Sequence, residues 1–223
     1  MGAVTTLAVL PIKSFSDAKQ RLSEELTPGP RRALAEAMFS DVLVALRRAK
    51  SVDEVLVISR DNGAQQIAGG YGARVLDDTG RGHNAAAETG IRDALEHDYN
   101  QVLLVPGDCP MLDPDEVDRL IARGIGPRPS VVIVPDRHGT GTNALLLSPP
   151  NTLTPSFGPG SCQRHAQAAA SAGIDHEVVE VGSLALDIDT PEDLAELGTQ
   201  LGARHGGSAH TRGMLSQLSR SRG

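Results

Sequence analysis

The chain has 223 residues, 39% hydrophobic but only 2% aromatic, with no tryptophan and a formal net charge of −7. That length suits one large α/β domain, and a core built from Ala, Val, Leu and Ile is the mixture of a parallel sheet covered by helices. The negative charge excludes a non-specific nucleic-acid binder, which needs a basic excess against phosphates, yet leaves room for a nucleotide ligand. Cys109 and Cys162 make no CxxC, and no apolar run reaches membrane-spanning length. A soluble, reduced, cytoplasmic protein with no membrane partner is expected.

In chain order, Thr5–Ile12 is apolar throughout and reads as a central strand. A cationic loop follows, carrying Lys13, Lys19 and Arg21, and Pro30 sits near the start of a long helix reaching about Ala49. Leu34, Met38, Val42 and Leu46 form its apolar stripe. Strands at Val55–Ser59 and Ala73–Leu76 flank a short helix, Gly63–Gly69, and an alanine-rich helix runs from His83 to about His97. The Leu103 strand precedes a helix with clear start chemistry, Asp113 as N-cap, Pro114 at N1 and Glu116 at N3. Strands at Val131–Val134, Ala144–Leu147 and His176–Val181 enclose a helix from Cys162 to Ala172. Ala185–Asp189 reads as an alternating strand, and Thr190–Pro191 opens a last helix to about Leu201. From residue 202 onward the composition falls to Arg, Gly, Ser and His, so 1–201 is read as one domain and 202–223 as a mobile tail. The alternation of strands and helices implies a doubly wound, mostly parallel sheet with its ligands at the carboxyl ends of the strands.

The chemistry gathers after strands. Pro106-Gly107-Asp108 ends one, and Asp187 and Asp189 lie two apart, so both face one way. Three carboxylates at one sheet edge would make a hard oxygen site suited to Mg²⁺, although each alone would serve equally well in a turn or at a helix start. Lys13, one residue past the first strand, with Lys19 and Arg21, can grip nucleotide phosphates. Gly139-Thr140-Gly141-Thr142 offers backbone approach and hydroxyl donors to an anion. In Phe157-Gly158-Pro159-Gly160-Ser161, Ser161 suits an N-cap, and N–H groups at a helix start bind phosphate or carboxylate. Asn84 could meet a base or ribose edge, or simply cap its helix. His83, His97 and His176 show no ligand spacing, Cys109 has no evident histidine partner, and neither a P-loop nor a dinucleotide fingerprint is present.

With Leu10-Pro11-Ile12-Lys13, Lys19-Gln20-Arg21-Leu22, Pro-Gly-Asp at 106–108, Gly-Thr-Gly-Thr-Asn at 139–143, Phe-Gly-Pro-Gly-Ser at 157–161 and Asp-Ile-Asp-Thr-Pro at 187–191, the chain resembles a known family over about residues 5–201. It is similar to the 2-phospho-L-lactate guanylyltransferases of coenzyme F-420 biosynthesis, above all their actinobacterial branch, which uses phosphoenolpyruvate. The resemblance implies a single-domain, Rossmann-like nucleotidyltransferase fold of GT-A type, with GTP and a small phosphorylated acid as ligands and Mg²⁺ as cofactor. It assigns Asp108, Asp187 and Asp189 to the metal and to catalysis with Lys13. It gives Thr142, Gly158 and Ser161 to the acceptor, and Lys13, Lys19, Arg21, Asn84, Pro106 and Gly107 to the nucleotide. A homodimer and contact with the next transferase of the pathway are compatible with it. Relatives often have Leu-Asn where this chain has His83-Asn84.

Other readings stand beside it: another nucleotidyltransferase, whose Gly-rich loop is missing here; a GT-A glycosyltransferase, which would leave the Gly-Thr-Gly-Thr-Asn and Phe-Gly-Pro elements unexplained; or a catalytically dead binding module. A cofactor-linked oxidoreductase lacks its fingerprint.

Overall fold

The computed structural model describes residues 4–17, 19–80, 82–204 and 206–221. Its strands are β1 (Thr6–Pro11), β2 (Glu54–Ile58), β3 (Arg74–Leu76), β4 (Gln101–Leu104), β5 (Ser130–Pro135), β6 (Thr142–Ser148) and β7 (Asp175–Val178). Its helices are α1 (Pro28–Arg48), α2 (Asn62–Gly70), α3 (His83–Glu96), α4 (Pro114–Arg123), α5 (Ser161–Ser171), α6 (Pro191–Ala203) and α7 (Ala209–Ser221). The strands make one sheet in the order β3-β2-β1-β4-β6-β5-β7, parallel except for β6, which runs against both β4 and β5. The mixed α/β fold read from the sequence is the one observed.

Every residue of β1 is buried, as its unbroken apolar run requires at the centre of a sheet. Alternation sends Ala8 and Leu10 toward α1, α2 and α4, and Leu7 and Val9 toward α3. On the α3 side Gly90 lets the helix approach closely, because a Cβ there would overlap the Val9 side chain. The expected stripe of α1 is buried, but the helix also buries Ala35, Phe39 and Leu43. It is wedged between the sheet and a third cluster in which Leu34 and Met38 meet Leu186, Ile188, Leu197 and Leu201.

Two expectations need correcting. Ala185–Asp189 belongs to no strand: Ala185 sits in the right-handed helical region, and the segment is tied to its neighbours by Arg137 N–H to Ala185 O (2.9 Å) and Ile188 N–H to Asp108 O (3.3 Å). Its alternation is satisfied by packing, since Leu186 and Ile188 are buried in the third cluster while no strand lies alongside to continue a ladder. The segment after residue 202, read as mobile, instead carries α7 on the flank of α1. Buried Asp41 accepts the N–H groups of His210 (3.1 Å) and Thr211 (2.8 Å), and Met214, Leu215 and Leu218 cover the third cluster. Such a helix is weak alone and takes its stability from the surface it covers. Among the described residues no helix is long and apolar enough to cross a membrane.

Candidate active site

The strand order reverses at β1 and β4: β2 and β3 lie to one side of β1, and β4 and the rest to the other. Open α/β sheets bind ligands outside the carboxyl ends of strands at such a point. Here a cleft of about 410 Å³ opens, lined among others by Lys13, Phe15, Lys19, His83, Pro106, Gly107, Asp108 and Asp189. A smaller cavity of about 120 Å³ shares Pro11, Ile12, Lys13 and His83 with it and continues to Arg60, Asp78 and Gly82. Gly107 is required by closeness, because a Cβ there would strike Ile12 and press on Phe39.

The cationic loop is not plain coil. Short 3₁₀ turns at Phe15–Asp17 and Gln20–Leu22 fold it back, with Lys19 between them in the left-handed region at φ 57°. That turn carries the Lys19 ammonium inward, where it bonds both Asp108 and Asp189, the latter at 3.0 Å. Burial lowers the Lys19 pKa, but the two carboxylates outweigh it and hold the ammonium above its ordinary range. Lys13 is exposed on the cleft wall. Arg21 is exposed and lies outside the residues lining the cleft.

The three acids are neighbours, but not a symmetric cluster. Among the described residues no three carboxylate, imidazole or thiol groups form a ready-made cation site. Asp108 and Asp189 share the Lys19 ammonium, while Oδ1 of Asp187 accepts from Asn143 Nδ2 at 3.3 Å. Burial and the charge of Asp108 raise the Asp187 pKa against the Asn143 hydrogen bond. The capping box of α6 sets Asp189: Asp193 accepts from the backbone of Asp189 (3.0 Å) and Thr190 (2.7 Å) and pairs with Arg137 (2.6 Å). The chemistry of these side chains is of the kind a hard divalent cation takes, although they are not arranged as a site for one. Their donors are carboxylate oxygens, two already hold a cationic group between them, and the third is disfavoured as a bare charge.

On the far side of β4, antiparallel pairing of Leu104 with Leu145 brings the start of β6 to the same sheet edge. There Thr142 and Ser161 are joined, Ser161 Oγ donating to Thr142 Oγ1 at 3.0 Å. Ser161 is the first residue of α5, not its cap; Gly160, at φ 71°, holds that position. Gly158 O accepts from Ser161 N–H (3.0 Å), and Thr140 O accepts from Cys162 N–H (3.2 Å). The Gly-Thr-Gly-Thr turn likewise is no open anion cradle. Asp136 already fills it, accepting from the N–H groups of His138 (3.1 Å), Thr140 (2.9 Å) and Gly141 (2.9 Å).

Asn84 also differs from expectation. Its Oδ1 accepts from Phe157 N–H (2.7 Å) and its Nδ2 donates to Phe157 O (3.3 Å), tying the start of α3 to the loop that precedes α5 instead of lining the cleft. His83, set aside in the sequence, lines both cavities and packs edge-on against Phe157 at 5.0 Å. Burial first, then Lys13, lower its pKa, so it is neutral near pH 7. His165 and Asn143 had no role in the sequence reading, because their partners lie far along the chain; the only local sign was that Ser161 and His165 share a helix face four residues apart. Cys109 is buried and its thiol pKa is pushed well up by burial, which suits an inert core group.

The mixed sheet thus carries, at its switch point, an acid pair bridged by the Lys19 ammonium. A nucleotidyl transferase from Methanothermobacter thermautotrophicus shares the fold at TM-score 0.64 and 19% identity, over 91% of this chain and 100% of that one. The family model for CofC-like guanylyl transferases matches residues 6–221. A phosphoenolpyruvate guanylyltransferase from Conexibacter woesei is 52% identical over 218 residues, covering 97% of this chain and 98% of that one. A 2-phospho-L-lactate guanylyltransferase from Methanothermobacter thermautotrophicus is 36% identical over 214 residues, covering 96% and 91%. The chain belongs to the CofC-like guanylyl transferase family.

Proposed function

We propose that this protein transfers GMP from GTP to phosphoenolpyruvate, giving enolpyruvoyl-2-diphospho-5′-guanosine and pyrophosphate, in coenzyme F-420 biosynthesis. The observation that carries the reading is the cleft at the β1/β4 switch point, where Lys13 and Lys19 face Asp108 and Asp189. The acceptor is taken from the relative that is 52% identical over nearly the whole chain.

A phosphate monoester is already an anion at neutral pH, so an oxygen of phosphoenolpyruvate needs no general base to attack the α-phosphorus of GTP. One P–O bond forms there as the bond to the β-phosphate oxygen breaks, and pyrophosphate leaves with the electron pair. The protein's task is to align two anions that repel each other and to neutralise the charge that develops. Lys13 and Lys19 supply fixed positive charge beside the cleft, and the hydroxyl of Thr142 supplies a donor on the acceptor side. Asp108, Asp187 and Asp189 would hold Mg²⁺, which when bound offsets phosphate charge and stabilises the leaving group. His83 and the smaller cavity beyond it are assigned to the base. The reading places the protein in the cytoplasm, handing its labile product to the next transferase of the pathway.

The test is pyrophosphate release from GTP and Mg²⁺ with phosphoenolpyruvate, 2-phospho-L-lactate or 3-phosphoglycerate, the next transferase being present to trap product. Release with phosphoenolpyruvate alone is expected. Release with another acid alone would move the acceptor, and release from CTP but not GTP would move the donor.

A further inference from the structure

We propose that His165 is a positioning residue that fixes the Thr142 hydroxyl as a hydrogen-bond donor toward the acceptor acid. The inference rests on the reading of Thr142 and Ser161 as acceptor-binding residues. His165 lies on the buried side of α5, beside Thr142 at the start of β6, and is 1% exposed, so both ring nitrogens must find partners inside the protein. Nε2 lies 2.8 Å from the backbone nitrogen of Ser156, which can only donate. Nε2 is therefore the unprotonated nitrogen, and the ring proton is on Nδ1. That Nδ1–H faces Thr142 Oγ1 at 3.1 Å, so Thr142 accepts from it.

Thr142 also accepts from the Ser161 hydroxyl at 3.0 Å. A hydroxyl oxygen has two acceptor positions and one proton. With both acceptor positions filled, Thr142 offers only its proton, which suits a phosphate or carboxylate oxygen and disfavours a ligand hydroxyl that must donate. The matter is sharper because the nearby backbone donors are taken: Ser161 and Cys162 bond within the loops, and Asp136 occupies Thr140 and Gly141. The same imidazole holds the loop at Ser156 and packs edge-on against Phe157 at 5.4 Å, a ring that also packs edge-on with His83. One ring thus sets both a donor and the loop that carries Gly158.

The test compares the full-length wild type with H165F, H165N, T142V and H165F/T142V by steady-state kinetics. H165F keeps the ring's shape and loses both hydrogen bonds, whereas the H165N amide can still donate toward Thr142. Losing one oriented donor to an anion should raise the acceptor KM about tenfold or more, with the GTP KM within about twofold. H165N should recover most of that loss. Because His165 acts on the acceptor through Thr142, the double variant should match T142V to within about twofold. If T142V raises the acceptor KM and H165F does not, or if the two effects multiply in the double variant, the proposal is overturned while the acceptor reading stands. If T142V leaves the acceptor KM unchanged, the acceptor reading falls and the proposal with it. Should H165F not fold, H165N against T142V decides: recovery supports the proposal, and equal losses of kcat and of both KM values overturn it.

Discussion

Nζ of Lys19 stands 3.0 Å from Oδ1 of Asp189 and bonds Asp108 as well, with the lysine side chain 6% exposed. One ammonium therefore neutralises two carboxylates delivered by different parts of the chain, one after β4 and one before α6. Lys19 reaches them from a left-handed backbone position, φ 57°, that a residue with a side chain adopts only when its surroundings hold it there. The lysine is the more buried partner, the carboxylates being 29% and 50% exposed, so its positive charge lies beneath the two acids in the cleft wall.

Asp108→Asn tests the acids directly. The substitution keeps the shape of the side chain and removes one of the charges that Lys19 bridges. Turnover should fall by about two to four orders of magnitude, the scale of electrostatic and metal stabilisation in phosphoryl transfer. Circular dichroism should be unchanged. Near-normal pyrophosphate release by a folded D108N protein would remove Asp108 from the site.

Lys19→Met separates the lysine's two tasks. Without the ammonium, Asp108 and Asp189 face each other uncompensated, and stability in EDTA should drop by about 1 kcal/mol, because the carboxylates are 29% and 50% exposed and partly screened. Mg²⁺ should restore more melting temperature in K19M than in the wild type, while activity stays low because a cleft cation is missing. Equal Mg²⁺-induced shifts in the two proteins would show that the lysine and the metal do not share these acids.

The C-terminal helix gives a stability prediction and shows where the sequence could be read. The central strands were legible because their apolar runs are continuous, and Asp113 and Thr190 announced their helices by local capping chemistry. Asp187 and Asp189 were placed on one face by alternation, although no strand forms, because their orientation depends on Leu186 and Ile188 packing inward. What escaped were relations between distant residues: Lys19 with Asp189, Asn84 with Phe157 and His165 with Thr142. Helix α7 escaped for the same reason, since its anchor, Asp41, lies on α1. Ending the chain at Arg204 would uncover Leu201 and the α1 flank and strip Asp41 of its two N–H donors. A loss of about 2–4 kcal/mol, on the order of 10 °C, is expected, with activity retained at low temperature. An unchanged melting temperature would refute the docking.

His165 ties stability to pH. Burial first, then Arg164, lowers its pKa from the ordinary 6.5 to about 4. The folded state therefore refuses a proton that the unfolded chain accepts, and the unfolded state binds more protons below pH 6.5. The stabilisation is present in full above that value and is lost as the pH falls toward 4, where protonation of Nε2 breaks the bond from Ser156 N–H. The wild type should lose melting temperature over this window faster than H165F, which has nothing to titrate there. Both curves, taken by scanning calorimetry between pH 7.5 and 4.5, should differ most near pH 7 and converge at the acid end. Parallel curves would mean that the ring is already charged, or already exposed, in the folded protein.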